Sequence, residues 1–141
     1  MDIQRITDTL KVQEGFRRES YEDHLGFLTI GYGRMIDKRL GGGITEQEAT
    51  ILLENDIANV IRELDRALPW VRSLKSPADE AVVNMAFQMG LPRLQQFRNT
   101  LERLKAGRYQ EAAAEALVSR WAKQTPNRAR EVVDLIRQAG E

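Results

Sequence analysis

The 141-residue sequence predicts an α+β fold that is mostly α. Three observations carry that reading. Apolar residues recur at helical spacing over most of the chain, two short β-prone runs flank one Asp/Gly turn near the N-terminus, and helix starts and stops punctuate the rest. The length fits one domain, with two lobes within it.

The first element is a helix over 3–13. Ile3, Ile6 and Leu10 fall on one face, Asp2 supplies a cap, and Gly15 stops the helix just after Glu14. Ser20 to Glu22 and Phe27 to Tyr32 then read as strands. The segment from Asp23 to Gly26 between them places Asp and Gly where a hairpin turn wants them. Gly41 to Gly43 reads as a flexible connector. Thr45 and Glu48 form a capping box, and Leu53, Ile57, Val60 and Leu64 continue a helix to about Asp65, before Pro69. At about 1.5 Å per residue this rod is roughly 30 Å long, a natural strut between lobes.

The remainder reads as helical. Ser76 and Pro77 give an N-cap and N1 proline, and Gly90 closes a helix whose Val82, Val83, Met85, Ala86, Phe87 and Met89 make it apolar nearly all round. A short helix from Leu101 to Ala106 ends at Gly107. An alanine-rich helix covers Tyr109 to Ser119. The last begins at Thr125 and Pro126, with Val132, Val133, Leu135 and Ile136 on its apolar side.

Composition excludes several function classes. No cysteine is present, so disulfide and thiolate chemistry are absent, which suits a reducing cytoplasm. The N-terminus carries Asp2, Arg5 and Asp8 and has no apolar h-region, so it does not read as a signal peptide. No run approaches the roughly 20 apolar residues of a membrane span. A single histidine, His24, argues against a zinc site and reads as a solvated turn residue. Neither glycine run leads into a phosphate loop. Residues 1–70 hold 9 basic and 13 acidic side chains, net −4, and residues 71–141 hold 12 and 8, net +4. The basic half lacks interleaved aromatics, so nucleic acid is not the expected partner.

Two carboxylates on separate local elements suggest glycoside chemistry, which needs one carboxyl protonated and another ionised. Glu14 ends a helix, where the dipole disfavours negative charge, and Phe16 and Phe87 are candidates to desolvate it. Position alone favours a solvated last-turn glutamate. Asp23 lies in the hairpin turn, where an aspartate also bonds its own backbone. Glu22 and Glu19 compete with it; strand alternation points Glu22 and Asp23 to different sides, and Asp23, ending the strand, is the shorter and more rigid choice. Thr29 could hold a water from across the hairpin, or simply fill a strand.

These residues sit in longer strings. Glu14-Gly15-Phe16-Arg17, Tyr21-Glu22-Asp23 and Thr29-Ile30-Gly31-Tyr32-Gly33 resemble the catalytic block of the phage-type lysozymes, glycoside hydrolase family 24. Asn84 to Gly90 is similar to that family's central helix, and Ser119-Arg120-Trp121 and Gln124 to Ala129 are similar to its C-terminal lobe. The resemblance runs through nearly the whole chain in one order. It implies a lysozyme-like fold: a small β lobe over about 14–45, a connecting helix over about 46–65, and a helical lobe over about 66–141 that includes the N-terminal helix. It implies hydrolysis of the β-1,4 bond between N-acetylmuramic acid and N-acetylglucosamine in peptidoglycan. Glu14 would be the general acid, Asp23 the general base of an inverting reaction, and Thr29 the holder of the attacking water. Inversion requires carboxyls roughly 6.5–9.5 Å apart.

Substrate contacts are implied at Met35, Phe87, Thr100 and Glu115, with Arg128 and Gln88 in support. Arg128 matches an arginine that pairs with the acid, and its charge would oppose the protonation that burial favours. No cofactor or metal is implied. The expected protein is a monomer that collects in the host cytoplasm and reaches the wall once a holin permeabilises the membrane. A lytic transglycosylase and an inactive wall-binding module are the alternatives.

The sequence also departs from the pattern. Arg34 stands where the family commonly has histidine, Glu115 replaces an amide, and the stretch from Met35 to Ile44 is short. The last predicts a smaller β lobe and a more open cleft rim.

Overall fold

The computed structural model describes residues 1–36 and 43–141. Gly41 and Gly42, and most of the shortened stretch on which the cleft-rim expectation rests, lie outside those residues. The chain divides into two compact units, Met1–Ile51 and Leu52–Glu141.

The first unit opens with helix α1, Ile3–Glu14. Asp2 caps it as expected, its side chain accepting from the Arg5 N–H at 3.0 Å. Gly15 ends it with φ +70°, a left-handed conformation that glycine adopts without a Cβ penalty. A three-stranded antiparallel sheet follows in the order β1 (Arg17–Glu22), β2 (Leu28–Gly31), β3 (Arg34–Met35). Strand β1 starts three residues before the predicted run and is irregular between Arg17 and Tyr21, a bulge that obscures the alternation there. The two-residue β3 is too short to show a period in the sequence, and none was expected.

Helix α2 spans Glu46–Ala67, two residues beyond the predicted end. The capping box closes as read. Glu48 N–H donates to Thr45 Oγ1 at 3.1 Å, and Thr45 N–H donates back to Glu48 Oε1 at 3.2 Å.

The second unit holds the rest of α2, a 3-10 turn at Pro69–Ser73, and helices α3 (Ala78–Met89), α4 (Leu91–Leu94), α5 (Arg98–Lys105), α6 (Tyr109–Leu117), α7 (Arg120–Gln124) and α8 (Pro126–Ala139). Ser76 does not cap α3. Pro77 occupies the cap position with no side-chain bond, and a backbone bond from Ala78 N–H to Lys75 O closes the turn instead. The alanine-rich helix stops at Leu117, because Ser119 caps a new helix by accepting from the Ala122 N–H.

Among the described residues, the buried apolar core lies wholly in this unit. Helix α3 contributes Ala78, Ala81, Val82, Met85 and Ala86, and α8 contributes Ala129, Val132, Val133, Ile136 and Ala139. Alanines at 81, 112, 113 and 129 keep the packed faces flat, so α3 and α6 each pack closely on α8. Truncating Met85 there would cost about 2–5 kcal/mol. Among the described residues, no helix is long and apolar enough to cross a membrane.

Candidate active site

Glu14 is the last residue of α1 and is exposed. Desolvation by Phe16 is not found, since that ring is 62% exposed. The Phe16 ring lies tilted against that of Tyr32, ring centroids 5.5 Å apart. The Glu14 carboxyl lies against Gly33. A Cβ built on Gly33 would stand 2.8 Å from Glu14 Cδ, closer than any real contact. Gly33 also holds φ +68°, a backbone conformation that favours glycine there.

Asp23 sits where β1 gives way to the turn. Its N–H donates to Phe27 O at 2.9 Å, closing the hairpin. Its Oδ1 accepts from Leu25 N–H and Phe27 N–H, each at 2.9 Å. The Phe27 N–H, above all, holds this carboxyl below its ordinary value. Partial burial opposes it, and the Leu25 N–H and the charge of His24 assist. Oδ2 accepts no hydrogen bond among the described residues. The turn aspartate does bond its own backbone, but with one oxygen only. His24 is exposed, as its turn position implied.

Register separates Asp23 from its competitor. Tyr21 pairs with Thr29 and Glu22 with Leu28, so Glu22 faces the side opposite Tyr21 and Thr29. Asp23 follows β1, and its N–H bond to Phe27 O continues the pairing one step past Glu22 and Leu28. Thr29 is 4% exposed, and its hydroxyl donates to Phe27 O at 3.1 Å. Its Cα partner on the third strand is Met35, 38% exposed. The first unit thus gathers Asp23, Thr29 and Met35 on one small sheet, with Glu14 against the β2–β3 turn.

In the second unit, Phe87 is 40% exposed on α3, a large apolar side chain open to solvent on a helix that otherwise contributes to the core. Its neighbour Gln88 accepts from Trp121 Nε1 at 2.8 Å, tying α3 to α7. Arg128 donates through Nε and NH2 to Asn84 Oδ1 at 3.2 and 3.0 Å. Thr100 and Glu115 line one groove of about 770 Å³, together with Phe97, Arg98 and Trp121. Thr100 is buried and offers that groove little surface, while the Glu115 carboxylate is engaged by Arg103 NH2 at 3.5 Å.

Sequence reasoning passed over Gly33 and the pairing of Arg34 with Glu48, whose NH2–Oε2 separation is 2.7 Å. The capping box marked Glu48, and two glycines bracketing Tyr32 marked a turn, but no local signal shows which side chain a glycine must admit. Among the described residues, no group of three or more His, Cys, Asp or Glu is placed to hold a metal ion.

Residues 11–138 match the phage lysozyme family. The chain is 29% identical over 161 residues to probable T4-type lysozyme 1 of Dictyostelium discoideum, covering 95% of this chain and 94% of that protein. It is 29% identical over 118 residues to an endolysin of Acyrthosiphon pisum secondary endosymbiont phage 1, covering 84% and 77%. It is 33% identical over 126 residues to peptidoglycan hydrolase gp36 of Pseudomonas phage phiKMV, covering 82% of this chain and 13% of that protein. The chain belongs to the phage lysozyme family and is a glycoside hydrolase.

Proposed function

We propose that this protein is a muramidase. It hydrolyses the β-1,4 bond between N-acetylmuramic acid and N-acetylglucosamine in peptidoglycan, with inversion at the anomeric carbon. Glu14 gives a proton to the glycosidic oxygen as the bond to the anomeric carbon breaks. Asp23 takes a proton from a water that attacks from the opposite face. The Thr29 hydroxyl, whose hydrogen goes to Phe27 O, keeps its lone pairs to accept a bond from that water. Met35, Phe87, Thr100 and Glu115 contact the glycan, and Arg128 and Gln88 support the site.

The observation that supports this most is the contrast between the two carboxyls. Asp23 is held by two N–H donors and favours the ionised form a base needs. Glu14 stands at a helix C-terminus, and no hydrogen bond reaches its carboxyl among the described residues. The relatives named endolysin and peptidoglycan hydrolase support the substrate. The protein acts as a monomer and a single lysozyme domain. It collects in the cytoplasm of a bacterial host and meets the wall after a holin opens the membrane.

The test is wall lysis by purified Glu14→Gln with its helical content checked by circular dichroism. A folded, inactive variant is expected. Wild-type lysis by Glu14→Gln would remove Glu14 from the role of acid.

A further inference from the structure

We propose that Arg34 is a positioning residue for Glu14, acting by clamping Gly33 to the first turn of α2. The inference rests on the reading of Glu14 as the acid.

The surface under the Glu14 carboxyl is the backbone of Gly33, and that backbone is weakly held by the sheet. Strand β3 has only two residues, paired as Thr29 with Met35 and Ile30 with Arg34, with one further bond from Ile36 N–H to Leu28 O at 2.8 Å. The turn from Gly31 to Gly33 carries two left-handed glycines, each with φ +68°, so its own stiffness is low.

A side-chain clamp supplies what the sheet lacks. Arg34 donates through Nε at 3.2 Å and NH2 at 2.7 Å to Glu48 Oε2. The other oxygen of Glu48, Oε1, accepts from Thr45 Oγ1 at 3.0 Å and Thr45 N–H at 3.2 Å. One carboxylate therefore closes the start of α2 with one oxygen and grips the residue after Gly33 with the other. The Arg34 side chain is 63% exposed, and ion pairs that open to water contribute little to stability. Its consequence is geometric: it fixes where Gly33, and so the Glu14 carboxyl, can stand.

The experiment measures kcat and KM on purified peptidoglycan for Arg34→Ala, Arg34→Lys, Glu48→Gln and the Arg34→Ala/Glu48→Gln double variant, beside Glu14→Gln. A misplaced reacting group costs up to about a hundredfold, so a partial loosening predicts roughly a tenfold loss of kcat in Arg34→Ala at unchanged KM. Arg34→Lys recovers part of it. Glu48→Gln, which keeps an oxygen for the cap, loses a similar factor, and the double variant is no worse than either single. Wild-type kcat in Arg34→Ala, a change in KM alone, or a wild-type Glu48→Gln overturns the clamp while Glu14→Gln stays inactive. Activity in Glu14→Gln overturns the underlying assignment instead.

Discussion

The carboxyl of Glu14 rests on Gly33, whose missing side chain is the space the carboxyl occupies. Gly33→Ala meets two obstacles, a contact 2.8 Å from Glu14 Cδ and a φ of +68°. Because a displaced acid loses alignment, kcat should fall by about a hundredfold in Gly33→Ala. Gly31→Ala shares the positive φ but meets no atom within 4 Å, so it reports backbone strain alone. Equal losses in the two variants would mean that the contact with Glu14 does not matter.

Asp23→Asn should separate turn from charge. An asparagine Oδ1 accepts the same Leu25 and Phe27 N–H bonds, so the hairpin survives while the base is lost. Thermal unfolding close to wild type, with lysis lowered by at least about a hundredfold, is the expected pair of results. Glu22→Gln, on the opposite face of β1, should keep most activity. A larger loss in Glu22→Gln than in Asp23→Asn would reassign the second carboxylate.

Acid stability follows from three carboxyls held below their ordinary values. The Phe27 N–H lowers Asp23, Arg34 lowers Glu48, and Arg72 lowers Asp65. A depressed folded-state pKa contributes stability that is fully present above the ordinary values, 3.8 for Asp and 4.5 for Glu, and is lost as pH falls through the folded values. Tm should therefore fall as pH drops from about 5 to about 3. Asp65→Asn, which removes the 2.8 Å bond from Arg72 Nε, should flatten that slope. A slope unchanged in Asp65→Asn would show that the pair does not contribute.

The bond from Trp121 to Gln88 should be visible in unfolding. Trp121 is 6% exposed, so Gln88→Ala leaves its N–H without a partner, at a cost of about 1–3 kcal/mol in urea denaturation. Trp121→Phe in the same chain removes the orphaned donor, and the double variant should cost less than the two singles summed.

Much of this was legible because the sequence marks element ends. Asp2, Gly15, the Thr45–Glu48 box and Pro126 each sit at the boundary they predict. Some misses turn on which neighbouring backbone group takes a bond, and others depend on partners far along the chain. Ser76 reads as a cap, yet Lys75 O takes the Ala78 N–H. β3 exists only because β2 lies beside it. At the site, the separation of Glu22 from Tyr21 and Thr29 follows from strand alternation, a local rule. The glycine that admits Glu14 lies nineteen residues from it, and its neighbours Tyr32 and Arg34 give no hint of that meeting. Arg34 reads in sequence only as a departure, whereas its pairing with Glu48 gives it a specific place.

The most direct measurement is the anomeric form and end group of the first product released from purified peptidoglycan, followed by NMR before mutarotation. Water activated by Asp23 and attacking opposite the departing sugar yields a reducing N-acetylmuramic acid of α configuration. A 1,6-anhydro end or an initial β anomer would contradict the pairing of Glu14 as acid with Asp23 as base.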